Sequence, residues 1–69
     1  MGRDDLTEKE REIMDLICAG KTSDEIAMIL NRHIGTVKQH IRLCYTKLEA
    51  HSKGLAVAKY LDPGRFKKP

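Results

Sequence analysis

Lys38, Gln39 and Arg42 lie close together on a segment whose apolar residues recur at helical spacing. Lys38 and Arg42 are four positions apart, so a helix sets them one turn apart on a single face, with Gln39 beside them. The floor of the DNA major groove suits these side chains: Lys and Arg donate to guanine O6 and N7, and Gln pairs with adenine. Thr46 joins them, while Val37, Ile41, Cys44 and Leu48 form an apolar stripe on the other side. A merely solvated basic face is the plainer account of any single helix of this kind. The neighbouring segments decide between the two.

Other reactive residue types are sparse. His40 and Cys44 are spaced four apart, as a metal pair on a helix would be, but Cys44 belongs to the apolar stripe. His33 and His51 do not complete a ligand set, and no metal site or cofactor is predicted. Cys18 and Cys44 read as small core residues rather than a redox pair, and two cysteines are too few for a disulfide scaffold. Met14 and Met28 read as core filler rather than a ligand surface. No nucleophile–base arrangement, Gly-rich phosphate loop or carboxylate pair stands out, so no enzyme is expected.

Four short segments position these residues. Thr7-Glu8-Lys9-Glu10 has the pattern of a capping box, and Ile13, Leu16 and Ile17 then recur at helical spacing until Gly20. A second box, Thr22-Ser23-Asp24-Glu25, opens a helix that carries Ile26, Ala27, Ile29 and Leu30 and breaks at Asn31. After the polar turn Asn31-Arg32-His33, the longer helix is predicted over about 35–49 and a fourth over about 52–61, ended by Asp62-Pro63-Gly64. Nothing alternates with period two, and no repeat appears. The chain is predicted to be all-α. A short helix, a tight turn and a longer amphipathic helix make a helix-turn-helix, in which small Ala27 lets the second helix pack by Val37.

Size and charge set bounds. With 69 residues, 41% hydrophobic and 33% charged, the chain is one small globular domain rather than a disordered segment or a multidomain enzyme. A core of this size is expected to lean on a partner subunit or a bound ligand. The net charge of +3 is compatible with nucleic acid, and three aromatics are too few for a single-strand stacking platform. Polar first residues and the lack of a long apolar run argue against secretion and membrane insertion, which leaves the cytoplasm. The expected layout is a flexible N-terminus over 1–5, a domain over 6–61 and a basic tail over 62–69.

Residues 6–57 resemble the LuxR/GerE-type DNA-binding domain of bacterial transcription regulators. The resemblance rests on Leu6-Thr7…Glu10-Arg11-Glu12, Gly20-Lys21-Thr22-Ser23…Glu25-Ile26-Ala27…Leu30, Thr36-Val37-Lys38…His40, Lys47-Leu48 and Ala56-Val57, in order and at the family's spacing. The Gly20-to-Ile26 run is particularly similar to the quorum-sensing branch, and region four of sigma factors shares part of the pattern. The resemblance implies a four-helix domain that reads double-stranded DNA as a homodimer on an inverted repeat. It gives Lys38, Gln39 and Arg42 to base edges, Thr36 and Lys47 to phosphate, and the last helix, around Leu55, Ala58 and Lys59, to the dimer surface. Thr22 and Ser23 open the second helix, where amides and the helix dipole favour a phosphate oxygen.

The chain departs from the family pattern in the turn. Arg32 and His33 stand where the family has an apolar residue and Ser, and His33 is the poorer cap. Arg32 is costly to bury and is free to swing out to a phosphate. Gly35 costs roughly 1 kcal/mol of helix propensity relative to Ala if it lies inside the helix. Leu43 and Cys44 replace a frequent Asn-Ile, and Lys53 replaces a frequent Arg. A second function is compatible with this turn: a small protein that pairs with a full-length LuxR-type regulator and silences it. RNA polymerase is a further possible partner of a regulator.

Overall fold

The structure is a computed structural model that describes residues 5–62. It contains four helices, α1 (Glu8–Cys18), α2 (Ser23–Leu30), α3 (Ile34–Lys47) and α4 (Lys53–Leu61), with no strand among the described residues. The all-α, four-helix expectation holds. Most of the expected N-terminal arm and the basic tail from residue 63 onward lie outside the described residues.

Local chemistry places each boundary. Both capping boxes form: the Thr7 N–H donates to Glu10 Oε1 (2.8 Å) and the Glu10 N–H to Thr7 Oγ1 (3.2 Å), with the same pair of bonds between Thr22 and Glu25. Ser52 Oγ accepts from the Leu55 N–H (3.2 Å) to start α4. Helices α1, α2 and α3 each end in a Schellman motif around a left-handed residue, Gly20 (φ +88), Asn31 (φ 52) and Glu49 (φ 55). The next amide donates back across the last turn in each: Lys21 to Leu16 O (3.0 Å), Arg32 to Ala27 O (2.9 Å), Ala50 to Tyr45 O (2.8 Å). The third helix was expected to reach Glu49, but its regular part stops at Lys47, because Glu49 takes the left-handed cap that glycine fills after α1.

Helices α1 and α2 both pack on α3, and α4 closes over α1. The core joins Leu6, Ile13, Met14 and Ile17 to Ile26, Ala27, Val37, Cys44, Leu48, Ala50, Ala56 and Tyr60. Ala27 and Val37 are both buried in it, as the crossing of α2 over α3 requires. Met14 fills the core as expected, whereas Met28 is 80% exposed. Ile26 and Ala27 take the buried side of α2, so Met28, one and two positions later, is rotated out to solvent. Polar contacts between helices fix the packing. Tyr60 donates its hydroxyl to Asp15 Oδ1 (2.6 Å), tying α4 to α1. The Cys44 thiol donates to the Glu10 carbonyl (3.6 Å), and Lys47 Nζ donates to Glu10 Oε1 (2.7 Å), tying α3 to α1.

Candidate nucleic-acid interface

Helix α3 positions its polar stripe by burying the opposite one. Val37, Cys44 and Leu48 are buried and Ile41 is half-buried, so Gly35, Lys38, Gln39, Arg42, Leu43 and Thr46 face outward and are exposed. Among the described residues neither the Lys38 nor the Arg42 side chain has a hydrogen-bond or ion-pair partner. The structure therefore brings the three expected base-reading residues together on one open surface.

The start of this helix has its own construction. His33 is the N-cap, and its Nδ1 accepts from the Gly35 N–H (3.1 Å), so the departure from Ser keeps a capped helix. A Cβ on Gly35 would lie 3.2 Å from the same nitrogen. The glycine therefore makes room for an imidazole larger than a serine hydroxymethyl, and part of its propensity cost is returned as a cap. This pairing was not visible in the sequence, where His33 and Gly35 appeared as two separate departures. Arg32 is exposed, at the rim of a small cavity of about 60 Å³ that Thr36, Val37 and His40 also line.

The two flanks of the stripe differ. On the α2 side, an open cleft of about 270 Å³ runs between Lys21, Thr22, Ser23, Ile41, Tyr45 and Lys53. The box uses the Thr22 and Glu25 amides, which leaves the first-turn amides of Ser23 and Asp24 pointing out of α2 without an intrahelical acceptor. Burial, then the neighbouring Cys44, pushes the Tyr45 phenol above its ordinary value, so it remains a neutral O–H. Two lysines, a phenol, two hydroxyls and a helix N-terminus on one side of a basic stripe suit phosphate oxygens. Lys21 precedes the capping box in sequence and could have been picked out there; Lys53 reaches the cleft only through the packing of α4.

On the α1 side, Thr36 is exposed, but Lys47 is engaged. Its ammonium pairs with Glu10, whose side chain is 5% exposed against 28% for Lys47. Burial alone would raise the Glu10 carboxyl, but hydrogen bonds from Lys47 and from Thr7 outweigh it and hold the group below its ordinary value. Lys47 still has two further N–H donors. Cys44, beside this pair, is pushed up to about 12 by burial and by the Glu10 charge, and it stays a thiol. Both cysteines are free, and no group of three or more His, Cys, Asp or Glu side chains is arranged to hold a metal among the described residues.

Of the three residues expected on a dimer surface, Leu55, Ala58 and Lys59 are all half-buried. Leu55 packs against the core edge, and Lys59 Nζ donates to the Glu49 carbonyl (2.8 Å). The exposed positions of α4 are Lys53, Gly54 and Leu61, the last 62% exposed, with half-buried Ala58 between the latter two. Leu61 follows Ala58 by one helical step, a spacing present in the sequence and not used there. No helix among the described residues is long and apolar enough to cross a membrane.

A short helix crossing a longer one through a tight turn, with the longer one presenting an open basic stripe, defines a helix-turn-helix domain. Residues 4–59 match the family described as bacterial regulatory proteins, luxR family, and the chain belongs to that family. It is 36% identical over 61 residues to the spore germination protein GerE of Bacillus subtilis, covering 88% of this chain and 82% of that one. It is 36% identical over 62 residues to the transcriptional regulatory protein DesR of the same organism, covering 90% of this chain and 31% of DesR. With the putative HTH-type transcriptional regulator YhjB of Escherichia coli it shares 38% identity over 48 residues, 70% of this chain and 24% of YhjB. The chain thus spans about a third or less of those two regulators. Together these matches identify a LuxR-family DNA-binding domain of the kind found in transcriptional regulators, and they do not distinguish a branch within the family.

Proposed function

We propose that the chain binds DNA sequence-specifically as a homodimer on an inverted repeat, with α3 in the major groove. The observation that carries this is the outward stripe of Lys38, Gln39 and Arg42, exposed and with no side-chain partner among the described residues, with phosphate-competent groups on both sides. Lys38 and Arg42 read guanine edges and Gln39 an adenine. Thr22, Ser23, Lys21, Lys53 and Tyr45 meet the backbone of one strand; Thr36 and Lys47 meet the other, Lys47 with the N–H groups that Glu10 leaves open. The exposed side of α4, with Leu61 and Ala58 central and Leu55 and Lys59 at its edges, joins two copies so that two reading helices lie one turn of DNA apart. The intact His33 cap supports this reading, because the altered turn still launches a whole recognition helix.

The test is selection of bound duplexes from a randomised pool, with sizing of the protein alone and on the winning site. An enriched inverted repeat, two copies per duplex and loss of enrichment in Lys38→Ala and Arg42→Ala are expected. Co-purification with a full-length LuxR-type regulator, surviving both substitutions and without an enriched site, would replace this reading with that of a small antagonist.

A further inference from the structure

Leu43 is 45% exposed at the α1-side edge of the polar stripe of α3, between Gln39 one turn before it and Thr46 and Lys47 one turn after. A single exposed leucine is ordinary on a protein surface. This one differs in its setting. Among the described residues Leu43 belongs neither to the core nor to the hydrophobic side chains packed against it, so the exposed part of its side chain is open to a ligand. It also stands beside Arg42 on the surface that the proposed function lays against base edges.

The major-groove floor is polar except for one group, the 5-methyl of thymine. An aliphatic side chain aimed there gains by covering that methyl and loses by covering the amino group of cytosine, which would be left without a hydrogen-bond acceptor. On the premise that α3 occupies the groove, we infer that Leu43 is a specificity-determining residue that reads a thymine through its 5-methyl group. The register follows from helix geometry. Leu43 is four residues beyond Gln39, about 6 Å along the helix axis. With base pairs about 3.4 Å apart, the thymine lies about two pairs from the base met by Gln39. Its partner strand is the one on the Thr36 and Lys47 side, because Leu43 is rotated toward that flank.

Replacing thymine by deoxyuridine removes the methyl and leaves the pairing edge intact, so it isolates this contact. The experiment takes the duplex enriched by the 69-residue chain and substitutes each thymine in turn, in both half-sites, with binding measured for wild type and for Leu43→Ala. One thymine per half-site is expected at which deoxyuridine weakens wild-type binding about fourfold per half-site, the value of one buried methyl. Leu43→Ala is expected to bind the intact duplex more weakly and to lose nothing further at that position, while keeping the wild-type melting temperature. Gln39 and Thr46 also carry aliphatic atoms, so the combination of base and side-chain changes assigns the methyl to its reader. Wild type insensitive to deoxyuridine throughout, or Leu43→Ala as sensitive as wild type at every thymine, overturns the inference. If a site is enriched in a Lys38- and Arg42-dependent way but no methyl matters, this inference fails alone; if no site is enriched at all, it fails together with the DNA reading.

Discussion

Lys38 and Lys47 are nine residues apart on the same helix and have opposite circumstances. Lys38 is exposed, with no partner among the described residues; Lys47 is half-buried, 2.7 Å from a carboxylate that is itself almost fully enclosed. Residue type does not separate them. What lies across from each does: α1 offers Glu10 to Lys47, and none of the described elements covers Lys38. A lysine with nothing opposite it is available to a ligand, while one facing a buried acid first holds the fold together. In Glu10 a single carboxylate completes the capping box of α1 and anchors α3, so the start of one helix and the end of another depend on the same group.

The largest expected effect is therefore on stability, at Lys47. Lys47→Met leaves the buried Glu10 carboxylate without its cation and is expected to cost about 2–3 kcal/mol, or roughly 10–20 °C in melting temperature for a domain of this size. Glu10→Gln combined with Lys47→Met should recover part of that loss. The pH dependence has a defined sign. The folded value of Glu10 lies below its ordinary value of 4.5, so the stability it contributes is fully present above 4.5 and is lost as pH falls through the lower folded value. Thermal melts across pH 3–6, a range spanning about one and a half units either side of the ordinary glutamate value, should show a fall at the acid end that Glu10→Gln reduces. A Lys47→Met variant as stable as wild type would erase the contrast between the two lysines.

The opposite pattern is expected on the outer stripe. Arg42→Ala should leave the melting temperature nearly unchanged and weaken binding to a selected duplex by about 10- to 100-fold per half-site, the worth of one bidentate guanine contact. Lys38→Ala should behave alike, with a smaller loss. Titrations in increasing salt sharpen the comparison. If Lys47 also touches phosphate with its spare donors, the Glu10→Gln/Lys47→Met pair should lower the slope of log affinity against log salt by about 0.9 while keeping sequence preference. An unchanged slope would assign Lys47 to the fold alone.

How much of this was legible in the sequence depends on the distance over which each feature is determined. The capping boxes at Thr7 and Thr22 and the stops at Gly20 and Asn31 are encoded within four residues, and all of them form. The stripe of α3 is encoded by periodicity and also forms. Glu10 and Lys47 are 37 positions apart, and no local pattern pairs them. Lys53 likewise reaches the α2 cleft only once α4 has packed. Met28 was misread because α2 is short: with eight residues, its apolar side is set by Ile26 and Ala27, and periodicity alone did not say which neighbours fall outside it. Glutamate is a good helix former and gives no local stop signal at position 49, whereas the turn to α4 needs a left-handed residue there.

Glu49 supplies the next test, just beyond Lys47. A glutamate at φ 55 carries a steric cost of about 1–2 kcal/mol that glycine avoids, less the roughly 0.5–1 kcal/mol that glycine loses in backbone entropy. Glu49→Gly is expected to raise stability by about 0.5–1 kcal/mol, read in a chemical denaturation curve, with no change in DNA affinity. The carbonyl that accepts from Lys59 is retained, so the link to α4 survives the change. Altered sequence preference in this variant would mean that the Lys47 end of α3 contributes to reading after all.

The smallest expected effect lies at the Lys38 end, where His33 and Gly35 are coupled. Alanine at position 35 gains up to about 1 kcal/mol of helix propensity but brings a Cβ to 3.2 Å from the imidazole nitrogen that caps the helix. The two effects oppose each other, and Gly35→Ala alone is expected to change stability by less than about 0.5 kcal/mol. With His33→Ser in place the cap is smaller and the clash disappears, so the same alanine should stabilise by about 0.5–1 kcal/mol. A double-mutant cycle measures the difference directly. A coupling near zero would mean that the imidazole is not held by the Gly35 amide, and that the altered turn launches the reading helix by the backbone alone. A coupling of the expected size would mean that the start of the reading helix, like its end at Lys47, is fixed by a side chain whose partner is identified only in the folded chain.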